Sequence, residues 1–406
     1  VPTDRLTRVR VRGLRTLDDL TLDLNGLSVL IGDNGSGKSS IIECLELLRR
    51  IGSGPNLLQE LSGIHGGVPQ LLRFGAQRLA FDVSAKGNEG DLEYSLTLVR
   101  TGDFLAIERE SLDVGPMTGH KEPLPVIQRG PGFARVFDQT RRKVVDGEVA
   151  ADKTLLGSFG VLPPQVAISR MSDLLAKIRV HVPFETTPSW VSNDARRNRS
   201  PMRSSITVQP SEGVTRLGGN LANAWMGLRN EHDEAHWRAT MEYVRLGLGP
   251  DIESVNVRPD PGGGNIGLQV KYRGLQDQVP SYSLSDGTLA YLAFVAIFRS
   301  QKGETLIAFD EPETHLHPLL LARVVEMFEE LAEECPVVLA THSDRLLDSL
   351  SDPAHSALLC ELDTRRATKL VKPNPAELEA WLERFRGLGQ VRSEGYESQV
   401  FRSRPS

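Results

Sequence analysis

Cysteine is scarce in this 406-residue chain: Cys44, Cys335 and Cys360 are far apart and form no C-x-x-C pair. An odd, scattered set argues against a disulfide scaffold and a cysteine zinc site, and fits a reducing cytosol. Long apolar runs are also missing. The run Leu289–Phe298 is about half of what a membrane-spanning helix needs. The amino-terminal Val-Pro-Thr-Asp-Arg offers no apolar segment for a secretory signal. There is no basic surplus: 47 Lys and Arg against 53 Asp and Glu give a net charge of −6, so nucleic-acid contact would need a local patch. No internal repeat is visible, and no heptad run is long enough for a coiled-coil arm. The expectation is a cytoplasmic protein without membrane association. With 39% hydrophobic residues over two to three domain lengths of roughly 150 residues, the chain can bury a core, so disorder is not the whole answer.

What is present is an α/β pattern at both ends. Alternation at Leu6–Leu14 and Leu20–Leu24 predicts two strands, and the continuous apolar run Leu27–Ile31 predicts a strand buried on both faces. A glycine-rich loop and the helical spacing of Lys38–Arg50 follow. Three strand-like runs between Arg78 and Val114 suggest an antiparallel meander. The stretch from Gly115 to Gly160 is punctuated by Pro and Gly and shows no pattern. Helices are expected over Gln165–Ile178 and Leu221–Leu246, with a mobile loop at Glu185–Gly213. After residue 250, strands at Ile266–Tyr272, Leu306–Asp310, Val337–Thr341 and Leu358–Leu362 alternate with helices. Ala376–Gly387 predicts an amphipathic docking helix, and Gln390–Ser406 a polar tail without order of its own. The expected division is an amino-terminal lobe (1–114), an inserted, partly helical region (115–250), a carboxyl-terminal lobe (251–375) and a terminal helix with tail (376–406).

Three stretches carry chemistry. Gly32-Asp33-Asn34-Gly35-Ser36-Gly37-Lys38-Ser39 matches G-x-x-x-x-G-K-[ST] between a buried strand and a helix. Glycines let the backbone N–H groups of Asn34, Gly35, Gly37 and their neighbours fold around an anion, and the helix start at Ser39 and Ser40 adds partial positive charge. Lys38 would reach the β and γ phosphates of ATP, and the Ser39 hydroxyl would ligate Mg²⁺. Second, the apolar strand Thr305–Phe309 ends in Asp310 and Glu311. Such an end opens onto the ligand crevice of a parallel sheet. Asp310 would hold the metal through water, and Glu311 would orient or deprotonate the attacking water. Third, Ser283-Leu284-Ser285-Asp286-Gly287-Thr288 precedes an apolar helix. Ser285 is placed as its N-cap, and Gly287 permits close approach of an anion.

The order of phosphate loop, LSDGT, FDEPETHLHP and ATHSD resembles the ABC-type ATPase heads of the SMC, RecF and OLD (overcoming-lysogenization-defect) families. The resemblance implies a P-loop NTPase fold with a mixed sheet, an antiparallel β subdomain and an inserted helical region. It also implies a homodimer or higher homo-oligomer closed around ATP and Mg²⁺. Ser285 and Gly287 would then meet the γ-phosphate held by the opposite protomer. His342 matches the switch histidine that contacts the γ-phosphate, and Arg15 resembles the early arginine that touches nucleotide in repair-type heads. The E-x-x-L-H-P form of the acidic strand end resembles OLD-like and RecF-like ATPases and makes a transporter subunit unexpected. Gln77 and Gln165 are both candidates for the Q-loop glutamine. An OLD nuclease would carry a Toprim domain after the histidine motif. The stretch from Ser343 to Ser406 is too short for one, so nuclease activity is not expected.

Other features have plainer readings. His232 and His236 sit at i and i+4 on a helix, a spacing that can bind zinc, but no third ligand is evident and a solvated face explains them. His315 and His317 fit a nucleotide-site loop better than a metal site. Trp225, Trp237 and Cys44 read as packing. Arg196, Arg197, Arg199 and Arg203 form a basic cluster that either contacts a phosphate backbone or is a solvated loop. Three functions follow: an ATPase that gates a separate effector protein in bacterial anti-phage defence or a toxin-type system; a RecF-like repair or recombination ATPase that binds DNA; and a nucleotide-dependent scaffold. An intact Glu311 argues against the third.

Overall fold

The computed structural model describes residues 4–401, except 55–56, 64–65, 116–121, 139–142, 147–151, 159–165, 189–199, 212 and 301. Its first part supplies strands β1 (Arg5–Leu14), β2 (Leu17–Asp23), β3 (Leu27–Ile31), β4 (Arg78–Lys86), β5 (Leu92–Thr101) and β6 (Phe104–Val114). The middle adds β7 (Leu124–Gly130), β8 (Phe133–Asp138), β9 (Lys143–Asp146), β10 (Ile178–His181) and β11 (Ile206–Thr207). The last part holds β12 (Ile252–Pro259), β13 (Asn265–Tyr272), β14 (Val279–Pro280), β15 (Leu306–Asp310), β16 (Val337–Ala340), β17 (Ala357–Leu362) and β18 (Thr368–Val371).

Among the described residues these strands form three sheets. One is antiparallel, in the order β2-β1-β4-β5-β6-β7-β8-β9. The Pro- and Gly-punctuated stretch after Gly115 therefore continues the meander: its turns separate short strands whose alternation is too brief to read. A second sheet, β10-β15-β16-β3-β17-β18, is parallel apart from the last pair. A small antiparallel sheet joins β11, β13 and β12, with β14 on β13. The middle stretch thus contributes strands to all three sheets, β10 being an edge strand of the parallel one.

The parallel sheet separates two apolar cores. Leu30, Ala308, Val338 and Ala340 pack with the antiparallel sheet and the helix Lys38–Ser53. Val29, Ile31, Ile307, Phe309, Val337 and Leu339 pack with the helices Leu221–Glu231, Glu234–Leu248, Asp286–Ser300 and Pro318–Glu334. Successive side chains of a strand point to opposite faces, so a strand covered on both sides is nearly apolar throughout, as LSVLI is apart from the buried Ser28. Every residue from Leu289 to Phe298 is buried in the second core, which is why that helix is apolar all round. No described helix is long and apolar enough to cross a membrane.

Four expectations change. The helix expected over Leu221–Leu246 breaks at His232–Asp233, where the Asp233 side chain accepts from His236 N at 2.8 Å and starts a second helix. An Asp cap outcompetes continuous periodicity there. The helix expected over Gln165–Ile178 is Val166–Ala176, followed by β10. The carboxyl-terminal helix is Pro375–Leu382, shorter than expected. The tail, up to Phe401, is ordered: Leu388–Ser393 and Glu397–Val400 are helical, and Leu388, Val391, Val400 and Phe401 are buried.

Candidate functional site

Hydrogen-bond register brings the carboxyl ends of four parallel strands level with one another. Leu30 pairs with Ala340, Ala340 with Asp310, and Phe309 with His181. The chain leaves this common edge as the phosphate loop after β3, as Thr341-His342 after β16, and as Asp310-Glu311 at the end of β15. Residues distant in sequence therefore share one crevice, as expected at the carboxyl edge of an open parallel sheet.

The phosphate loop has the backbone its glycines allow. Gly32, Gly35 and Gly37 have φ of 138°, 79° and 103°, a region that costs other residues strain. A Cβ on Gly37 would sit 2.1 Å from Thr368 Oγ1. Thr368 itself fastens the loop, its hydroxyl lying 2.9 Å from Ser36 O and 2.8 Å from Thr16 Oγ1. Nothing in the sequence singled out Thr368, because its partners are hundreds of residues away. Asn34 and Gly35 are exposed on the loop and Ser40 is buried on the first helical turn. Lys38 is buried and folded back, donating to Gly32 O at 2.7 Å and Asp33 O at 3.1 Å. Burial holds its pKa below the ordinary lysine value.

Ser39 Oγ donates to Asp310 Oδ1 at 3.3 Å. Burial, and then the charge of Glu311, raise the Asp310 pKa against the opposing pull of that hydrogen bond. Two oxygen donors side by side suit a hard cation such as Mg²⁺. Among the described residues no group of three or more His, Cys, Asp or Glu could hold a metal alone, so a cation here would take its other ligands from phosphate and water. Glu311 is exposed and has φ 49°, an uncommon conformation for a residue with a Cβ. His342 is exposed on the neighbouring turn.

Glu313, the acid that opens the E-x-x-L-H-P string, had no role assigned from the sequence. Its Oε1 accepts from Thr341 Oγ1 at 2.8 Å and from His342 N at 3.0 Å, tying the acidic loop to the histidine loop. Its Oε2 is buried without a partner among the described residues.

Ser285 caps its helix, accepting from Thr288 N at 3.1 Å. A Cβ on Gly287 would come within 3.0 Å of His315 O, so this helix start packs on the loop after Glu311. Among the described residues Ser285 bonds Thr288, and no hydrogen bond joins Ser285 or Gly287 to Lys38, Ser39 or Asp310. Arg203, expected in the basic loop cluster, is instead buried. It donates to the carbonyls of Thr186, at 2.5 Å, and Leu284, at 2.7 Å, and to Asp286 Oδ1 at 2.5 Å. It braces the turn that carries Ser285. Arg196, Arg197 and Arg199 lie outside the described residues.

Arg15 is exposed with φ 48° and bonds Glu43 Oε2 at 3.1 Å. It lines a cavity of about 310 Å³ together with Ser39, Asp310, Val182 and Arg216. Gln77 does not line this cavity, and Gln165 lies outside the described residues. A larger cavity, about 760 Å³, opens at the opposite, amino end of the sheet beside Thr305 and Pro336 and holds none of the motif residues. His232 and His236 stack at 4.0 Å, and both ring nitrogens of His236 meet Arg299 at 3.0 Å, so they form a packed pair with no metal geometry. Trp225 is buried, with Nε1 donating to Leu292 O at 3.3 Å. Cys44, Cys335 and Cys360 are buried free thiols.

Comparison with known proteins places these features. A family model described as "AAA ATPase domain" matches residues 5–55. Another, "AAA domain, putative AbiEii toxin, Type IV TA system", matches residues 252–348. An OLD nuclease of Thermus scotoductus is 21% identical over 360 residues, covering 84% of this chain; the chain spans 60% of that relative's length. An Smc head bound to the C-winged helix domain of ScpA superposes with a TM-score of 0.54 at 13% identity, covering 90% of this chain and 97% of that one. The Pyrococcus furiosus Smc head with an extended coiled coil, bound to the C-terminal domain of ScpA, gives 0.54 at 14% identity, covering 94% and 99%. Distant sequence similarity and shared fold agree: ATPase-domain models match both ends of the chain, and its fold is that of the Smc heads.

Proposed function

We propose that the protein binds and hydrolyses Mg-ATP at the common strand edge, dimerises head to tail around the nucleotide, and uses opening and closing to gate a separate effector protein. The observation that carries this is the convergence of Ser39, Asp310, Glu311 and His342 on one crevice, with Ser39 Oγ and Asp310 Oδ1 already 3.3 Å apart. In this reading the backbone of Asn34, Gly35 and Gly37 cradles the phosphates. Lys38 leaves the carbonyls of Gly32 and Asp33 for the β and γ phosphates. Ser39 and Asp310 hold Mg²⁺, which neutralises phosphate charge when bound. Glu311 takes the proton of the attacking water or orients it, and His342 meets the terminal phosphate. Ser285 and Gly287 serve the partner's nucleotide, in keeping with the lack of any hydrogen bond from them to Lys38, Ser39 or Asp310 among the described residues. Most of the rate gain then comes from positioning and electrostatics.

Gating of an effector in anti-phage defence or a toxin-type system rests on the OLD kinship and on the AbiEii-type match. The ScpA-bound Smc heads give precedent for a partner docked on such a fold. The alternative of a DNA-binding repair ATPase loses part of its support, since Arg203 points inward.

The test is the mass in solution and the phosphate release of wild type and Glu311→Gln, with and without Mg-ATP. The variant is expected to lose about 10²–10⁴ of the hydrolysis rate and to accumulate an ATP-dependent dimer. A variant that hydrolyses normally removes Glu311 from the mechanism, and a wild type of unchanged mass removes nucleotide-driven dimerisation. Stimulation by duplex DNA would favour the repair reading.

A further inference from the structure

From the cavity beside Ser39 and Asp310 we infer that Arg216 is a second phosphate-binding cation of this site, reading the terminal phosphate and so distinguishing a nucleoside triphosphate from a diphosphate. The inference rests on the ATPase reading above.

Arg216 is distant in sequence from every motif and reaches the site through the backbone. Phe309, one residue before Asp310, pairs with His181 at the end of β10. The chain beyond β10 is then joined by a returning segment: Val182 N donates to Arg216 O at 3.4 Å, and Glu185 N to Leu217 O at 3.2 Å. This puts Arg216 next to the strand edge, where it lines the same cavity as Ser39 and Asp310.

Charge pairing makes Arg216 the exception among the arginines there. Arg15 is paired with Glu43 at 3.1 Å, and Arg50 with Glu46 at 2.9 Å and Glu60 at 3.2 Å. Asp310 faces Ser39 and is the residue assigned to the metal. Arg216 is exposed and has no carboxylate partner among the described residues. The magnesium complex of a nucleoside triphosphate retains excess negative charge, and Lys38 is the only other cation the phosphate loop itself supplies. A guanidinium at the metal end of the crevice matches phosphate oxygens with two parallel donors. Val182 and Arg216 occupy the side of the crevice where neither Gln77 nor, among the described residues, any other glutamine lines the cavity.

The experiment is equilibrium titration of the full chain with fluorescent mant-ATP and mant-ADP in Mg²⁺, for wild type, Arg216→Ala, Arg216→Lys and Lys38→Ala. Arg216→Ala is expected to weaken mant-ATP binding by roughly tenfold or more, leave mant-ADP within about twofold, and so collapse the ATP-to-ADP ratio. Arg216→Lys should restore part of that ratio. Folding is checked by unchanged thermal unfolding without nucleotide, as expected for an exposed side chain. An unchanged ratio in Arg216→Ala, with binding lost in Lys38→Ala, overturns the role of Arg216 and leaves the ATPase reading standing. Wild type that binds neither nucleotide overturns both.

Discussion

At the scale of single residues, the crevice depends on backbone conformations that side chains elsewhere hold in place. Gly37 combines φ 103° with a wall formed by Thr368 and Thr16, so Gly37→Ala must both adopt a left-handed conformation and displace the hydroxyl that fastens Ser36 O. The expected result is at least tenfold weaker nucleotide binding and a loss of about 1–3 kcal/mol in stability, read by nucleotide titration and urea unfolding of the same preparation. The residues that convergence brings together were legible singly: the loop, the two acids and the histidine all stand in recognisable strings, as does the signature serine that lies apart from them. The roles of Thr368, Glu313, Arg203 and Arg216 were not legible, because each acts through a partner set by sheet register or chain return and no local pattern encodes that partner.

At the scale of elements, the carboxyl-terminal segment is where polarity misled the reading. Its helix Leu388–Ser393 lies against Asp344–Asp348, the helix that follows His342. Gln390 N donates to Asp348 Oδ1 at 3.0 Å, and Arg392 bonds Asp344 at 3.1 Å and Glu397 at 3.1 Å. Trp381 stacks on Tyr396 at 4.8 Å, closing the segment on the preceding helix. Few apolar residues suffice here because short helices each bury only one or two side chains. Leu388 is fully buried, so Leu388→Ala should cost about 2–4 kcal/mol in urea unfolding. A segment without structure would show less than about 0.5 kcal/mol. The two helices at Leu221–Glu231 and Glu234–Leu248 carry the same lesson: periodicity marked the apolar face, while the Asp233 cap decided where one helix ended.

At the scale of the whole molecule, the parallel sheet links the site to overall stability. His181, at the end of β10, is buried and stacked on Phe309 at 4.7 Å. Burial, with Arg179 nearby, lowers its pKa from 6.5 to about 3. Its folded pKa lies below the unfolded one, so its stabilising contribution is complete above about pH 6.5 and is lost as pH falls from there towards 3, the unfolded chain alone taking up the proton. The slope is up to about 1.4 kcal/mol per pH unit. His181→Gln should therefore lose less stability than wild type between pH 7 and pH 5, by about 2 kcal/mol in paired urea titrations. Equal pH dependence would mean that His181 takes up its proton as readily folded as unfolded. By itself the sequence determined the phosphate loop, the strand-end acids, the capped signature helix and the alternation of strands with helices, because each is written in neighbouring residues whose conformational and burial preferences are local. Only the tertiary structure decided which strands lie side by side, that the middle of the chain supplies an edge strand to the parallel sheet, and which arginines face inward or into the crevice. Those outcomes depend on register and burial between residues far apart in the chain.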